Sequence, residues 1–105
     1  MVKAKTEVFE LDDIQLADIA KALSHPARIR ILSILNKLNQ CVAGEIVNLL
    51  PLSQSTVSQH LKELKRVGLI KGEVEGPSIC YCLDEEVVAN AKKAFTKLFT
   101  SFKCC

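Results

Sequence analysis

Apolar residues recur at helical spacing through most of this chain, and that spacing breaks down once. Leu16, Ile19, Ala20 and Leu23 fall at i, i+3, i+4 and i+7, one face of a helix that Asp12 or Asp13 can cap. It ends near Ser24-His25. Pro26, whose missing backbone donor does no harm in a first turn, opens the next helix. There Ile29, Ile31, Leu32, Ile34, Leu35 and Leu38 cover most of the circumference, which predicts a central buried helix. Gln40-Cys41-Val42 reads as a short extended link, and Gly44 to Leu50 as a short third helix with Ile46, Leu49 and Leu50 inward, stopped by Pro51. Ser53 is an N-cap for a fourth helix from Gln54 to Val67, with Val57, Leu61 and Leu64 as its buried stripe and Gly68 as its stop.

After Gly68 the helical period is lost. Leu69 to Val74 and Ser78 to Leu83 read as two strands joined by the turn residues Glu75-Gly76-Pro77. Asp84 caps a last helix, with Glu85 and Glu86 in its first turn and an apolar row of Val88, Ala91, Phe95, Leu98 and Phe102. The expected fold is mainly α with a small β-hairpin. Its order, with a tight turn between the third and fourth helices, is that of a winged helix-turn-helix with extra terminal helices forming a dimer interface. Residues 1–11 are read as a flexible N-terminal segment, and 12–105 as one DNA-binding and dimerisation domain.

The fourth helix would be the recognition helix. With its apolar stripe inward, 100° steps turn Ser55, Gln59, Lys62 and Arg66 outward, flanked by Thr56 and Ser58, with Ser53 and Gln54 at the N-terminal end. Gln can pair with adenine, Ser and Thr can reach bases or phosphates, and Lys and Arg can anchor phosphates. Residues 53–73 carry four cations against two acids, a local excess equal to the whole chain's net +2, so the charge is concentrated where DNA would lie. His60 reads as packing or hydrogen bonding rather than metal binding, and His25 as a helix-start residue. No Ser/His/Asp set, phosphate loop or paired catalytic carboxylates suggests an enzyme. A winged helix that binds a protein instead of DNA is the reading from another class, and the polar recognition face speaks against it.

A chain of 105 residues buries about 65% of its unfolded surface, enough for one modest core. Phe95, Phe99 and Phe102 exceed what such a core can cover. A homodimer built from Leu16, Ile19, Val88, Ala91, Phe95, Leu98 and Phe102 is therefore expected, the competing arrangement being that the last helix packs on the first helix of its own chain. The first thirteen residues mix two Lys with four acids and hold no long apolar run, so no export signal or membrane segment is read, and a cytoplasmic setting is expected. Five cysteines in that setting are expected to be reduced thiols.

Leu23-Ser24-His25-Pro26-Ala27-Arg28-Ile29-Arg30-Ile31-Leu32, then Leu52 to Lys62 (LSQSTVSQHLK), then Gly68-Leu69-Ile70, resemble the ArsR/SmtB metalloregulatory repressors over roughly residues 12–102. The resemblance implies a homodimeric repressor that leaves its operator when a metal ion, metalloid or oxidant binds. Many arsenic- and cadmium-responsive members carry Cys-Val-Cys-Asp-Leu at the start of the third helix. With Glu45-Ile46 aligned to its Asp-Leu, Val42 and Gly44 take the two thiol positions here, and Cys41 lies one residue outside. The last helix has no His, unlike zinc-sensing members.

An inducer site must therefore be built otherwise. Cys80 and Cys82 share one face of a strand while Ile79, Tyr81 and Leu83 take the other, apolar face, and pairing of the extended link with that strand would add Cys41. Three thiols suit arsenite or another soft metal centre. Cys104 and Cys105 are the rival pair. No cofactor is expected for folding, and a redox or persulfide response is the alternative to metal sensing.

Overall fold

The computed structural model describes residues 11–38, 45–75 and 78–104. Its elements are α1 (Leu11–Ala22), α2 (Pro26–Leu38), α3 (Glu45–Asn48), α4 (Gln54–Arg66), β1 (Ile70–Glu75), β2 (Ser78–Leu83) and α5 (Glu85–Thr100). Local chemistry sets most of these limits. At the start of α2 the His25 Nδ1 accepts the Ala27 N–H at 3.0 Å, and at the start of α4 the Ser53 hydroxyl accepts the Thr56 N–H at 3.3 Å. Asp84 caps α5 by accepting the Glu86 and Val87 N–H groups.

The exit from α4 is a Schellman turn. Gly68 N–H donates to the Lys65 carbonyl, Leu69 N–H donates to the Leu64 carbonyl, and Gly68 takes φ +83°. Both Leu64 and Leu69 are buried, so the turn is fastened by an apolar contact as well. The chain then enters an antiparallel hairpin whose register runs from Ile70 opposite Leu83 to Glu75 opposite Ser78. The Asp84 N–H donates to the Leu69 carbonyl at 3.0 Å, which closes the base of the hairpin and ties the start of α5 to the end of α4. The turn residues 76–77 and the link residues 40–42 lie outside the described residues.

The core joins Ile31 and Leu35 of α2, Ile46 of α3, Val57, Leu61 and Leu64 of α4, Leu69 and Ile70 at the hairpin base, and Ala91 of α5. α1 lies against α5, and α2 against α4 and β2. Several apolar positions depart from their expected places. α2 is not buried all round: Ile29, about 160° from Ile31 on the helix, is 47% exposed, and Leu38 sits past the last core layer. Leu49 is exposed because α3 ends at Asn48, so the inward stripe does not reach it. On β2, Ile79 is exposed while Cys80 is buried, so at this level of the hairpin the cover lies on the thiol face and not on the expected Ile79 face; Tyr81 and Leu83, nearer the base, pack against the core as expected.

α2 and α4 also meet through two imidazoles. The His25 and His60 rings stand 4.4 Å apart between centroids, tilted by 45°. Burial pushes the His60 imidazole below its ordinary value of 6.5, and the charges of His25 and Arg28 push it further. On its own helix Glu63 lies one turn on, held by Arg66.

Two outcomes are expected. Gly68→Ala should cost about 1–2 kcal/mol in urea unfolding, because a Cβ there meets only ordinary contacts with Val87 and the loss is that of forcing an L side chain into the left-handed region. A histidine whose folded pKa is lowered binds its proton more readily in the unfolded chain. Stability should therefore be flat above about pH 7 and fall as pH drops below 6.5, before carboxylates titrate. Unfolding midpoints for wild type and His60→Gln between pH 7.5 and 5 should show the slope shrink in the variant.

Candidate nucleic-acid interface

Burial of Val57, Leu61 and Leu64 turns the opposite side of α4 to solvent. Ser53, Gln54, Ser55, Ser58, Gln59 and Lys62 are all exposed, and Thr56 is half-buried. Three of the hydroxyls form a cluster at the N-terminus: Ser53 donates to Thr56 Oγ1 at 2.9 Å and lies 3.2 Å from the Ser55 hydroxyl. This holds the end of the helix in shape. It leaves short hydrogen-bonding groups and two glutamines on a surface that a groove could admit. Lys65, a turn beyond, reaches toward the wing, its Nζ close to Gly72 where β1 faces Ile79 and Tyr81.

Arg66, expected as an outward phosphate anchor, is exposed but already paired within its own chain. Its guanidinium donates two hydrogen bonds to Asp18 of α1, at 2.9 and 3.0 Å, and two more to Glu63 at 2.7 and 3.0 Å. The Glu63 and Asp18 contacts raise the Arg66 pKa further, and the Arg66 hydrogen bonds hold both carboxyls below their usual range. Two carboxylates surround one guanidinium, so the charge of Arg66 itself is neutralised locally, while Lys65 beside it is exposed. Asp18 is 48 residues away in sequence, which is why spacing on α4 could not reveal the pairing.

The residues expected to dimerise divide in two. Ala91 is buried within its own chain, and Ile19, Val88 and Phe95 pack against the same core, because α1 folds back on α5. Leu16 lines a groove between those helices. At the C-terminal end of α5 and just beyond it, Leu98, Phe99 and Phe102 are exposed, and the two Phe rings meet edge to face at 5.5 Å. The apolar surface left for a partner is thus the C-terminal half of the predicted row.

The thiols are placed as follows. Cys80, only 2% exposed, stands opposite Glu73, and Cys82, half-buried, stands opposite Lys71. Strand alternation puts the two on one face, with Ile79 and Tyr81 against Gly72 on the other. Cys104 is exposed beyond the end of α5. Cys41 and Cys105 lie outside the described residues, and among the described residues no group of three metal-ligating side chains converges.

Residues 25–71 match the sequence model for bacterial regulatory proteins of the arsR family. The cadmium resistance transcriptional regulatory protein CadC homolog of Staphylococcus aureus is 32% identical across 89% of this chain and 78% of its own length. The HTH-type transcriptional regulator YgaV of Escherichia coli K12 is 38% identical over 70% of this chain and 75% of its own. Among solved structures, HlyU from Vibrio cholerae is 32% identical over 89% of this chain and all of its own, with a TM-score of 0.68. A form of it described as reduced is 34% identical over 76% of this chain and 84% of its own, at 0.64. Among the described residues no helix is long and apolar enough to cross a membrane. Fold, recognition helix and relatives agree: this chain belongs to the ArsR/SmtB family of winged helix-turn-helix transcriptional regulators.

Proposed function

We propose that this regulator is a cytoplasmic homodimeric repressor that holds double-stranded operator DNA through α4 and is released when a soft, thiol-seeking inducer, arsenite or a soft metal ion, binds its cysteines. The observation that carries the DNA-binding part is the exposed polar line on the first turns of α4, from Ser53 to Lys62, opposite a fully buried stripe. Ser53, Gln54, Ser55, Thr56, Ser58 and Gln59 supply base and phosphate contacts, and Lys62 a phosphate contact. Exposed Leu98 and Phe102 support pairing of α5 with its copy in a partner subunit, which would set two recognition helices on a two-fold site.

For the inducer, the supporting feature is the shared strand face of Cys80 and Cys82. Side chains two apart on a strand lie about 7 Å apart. Two thiolates on one metal ion at Zn–S distances of about 2.3 Å lie about 4 Å apart. Capture would therefore draw the two thiols together and distort β2, with Cys41 as the third ligand. Because β2 runs directly into Asp84, whose N–H is bonded to the Leu69 carbonyl, such a distortion bears on the turn that ends α4. Release of DNA requires the inducer to bind the DNA-incompetent form more tightly, and about 1–3 kcal/mol of coupling is typical. Cys104 and Cys105 form the alternative site. A redox or persulfide response is the second reading, favoured by the exposure of Cys104 and by the relative solved in a form described as reduced.

Arsenite, cadmium and zinc titrations of the reduced protein, followed by DNA binding, test this reading. Release by arsenite that Cys80→Ser/Cys82→Ser abolishes and Cys104→Ser/Cys105→Ser spares is the expected outcome. Loss only in the tail variant moves the site to the C-terminus. Release by oxidants or persulfides alone supports the second reading, and absence of DNA binding overturns the repressor. On the DNA side, Gln59→Ala should lose about 1–3 kcal/mol of discrimination at one base position, while Lys62→Ala should weaken all sequences alike and flatten the salt dependence by about one charge per half-site.

A further inference from the structure

We propose that Arg66 is a positioning residue for DNA binding, acting through Asp18 of α1 to close off the far end of the recognition face. The proposal rests on the DNA-binding reading above. Ser55, Gln59, Lys62 and Arg66 lie along one line of α4, within about 60° of one another around the helix. At the fourth position that line stops being open surface. The guanidinium is held by both Asp18 oxygens, in the two parallel hydrogen bonds that a planar fork and a carboxylate make best. Glu63 fills the remaining side of the fork.

Three consequences follow from that geometry. Four of the five guanidinium N–H groups are taken by carboxylates, so without displacing one of them a DNA phosphate could accept only a single hydrogen bond, from the second Nη1 hydrogen, and the residue's charge serves the protein before it serves DNA. The contact joins α4 to α1, which itself packs on α5, so the angle at which the recognition helix stands is referred to the terminal helices and not to the core stripe alone. Asp18 and Arg66 also wall the groove between α1 and α5 that Leu16 and Val87 line, so a shift of α1 against α5 moves the clamp directly.

The two roles for Arg66 predict opposite signs for one substitution. Asp18→Asn removes the bidentate partner and adds one positive charge to the protein. If Arg66 were a phosphate anchor, freeing it would tighten DNA binding. If it positions α4, binding weakens against that electrostatic drift, by about two- to fivefold per half-site, since an exposed pair is a modest contact, and by about four- to twenty-five-fold for a two-fold site.

The probe is a duplex selected from a random-sequence pool by the wild-type protein, titrated at several salt concentrations. We expect Asp18→Asn to bind more weakly, Asp18→Glu to bind nearly as wild type, and Glu63→Gln to be neutral or slightly tighter. Arg66→Gln should weaken binding with the wild-type salt slope retained. A tighter or unchanged Asp18→Asn, or a slope for Arg66→Gln lowered by about one per half-site, overturns the proposal. Thermal unfolding and sedimentation of each variant separate misfolding or dissociation from repositioning, and if Asp18→Asn fails either control the Arg66→Gln slope decides. Failure of the pool to yield any bound duplex would instead overturn the DNA-binding reading itself.

Discussion

Everything that this protein presents to a ligand depends on burying one stripe of one helix. Val57, Leu61 and Leu64 of α4 pack on Ile31 and Leu35 of α2, and that contact fixes how α4 is rotated about its own axis. Once the rotation is fixed, a helix has no choice about its other side: Ser55, Gln59 and Lys62 must face outward. Full burial of a single leucine is worth about 1.5–3 kcal/mol. A slip in rotation that exposed Leu61 or Leu64 would cost more than any one polar contact on the exposed side could return. The apolar stripe thus orients the polar line.

Legibility in the sequence followed the range of the interaction. Ser53, Asp84 and Gly68 act on backbone groups within a few residues, so the caps and the stop they form could be read from spacing; the limits of α4 and β2 and the start of α5 fell within a residue of expectation, whereas α5 ends at Thr100, short of Phe102. Rotation of α4 was legible as well, because its apolar residues occupy one face only. α2 was not, because apolar residues on several faces leave the buried side to be chosen by neighbours; Ile31 and Leu35 were chosen and Ile29 was not.

At the candidate site the same rule divides the residues. The exposed serines and glutamines of α4 were found from its own periodicity. The engagement of Arg66 with Asp18, and the loss of Ala91 to its own core, both depend on where α1 comes to rest, and no local pattern carries that information. An ion pair formed across 48 residues looks, on either helix taken alone, like an ordinary solvated charge. The thiols are intermediate. Their shared strand face was legible, whereas the depth of Cys80 depends on how much of the hairpin the helices cover.

That depth bears on speed. A thiol 2% exposed is reached by a reagent only when the surrounding structure opens, and local openings of this kind are governed by their own free energy, separate from the chemistry of the sulfur. At low reagent concentration the rate of modification of Cys80 would rise in proportion to concentration, scaled by the small fraction of open molecules. At high concentration it would level off at the opening rate and stop depending on the reagent at all. The wing would then act as a clock, with an upper limit on how fast Cys80 can register a chemical change outside.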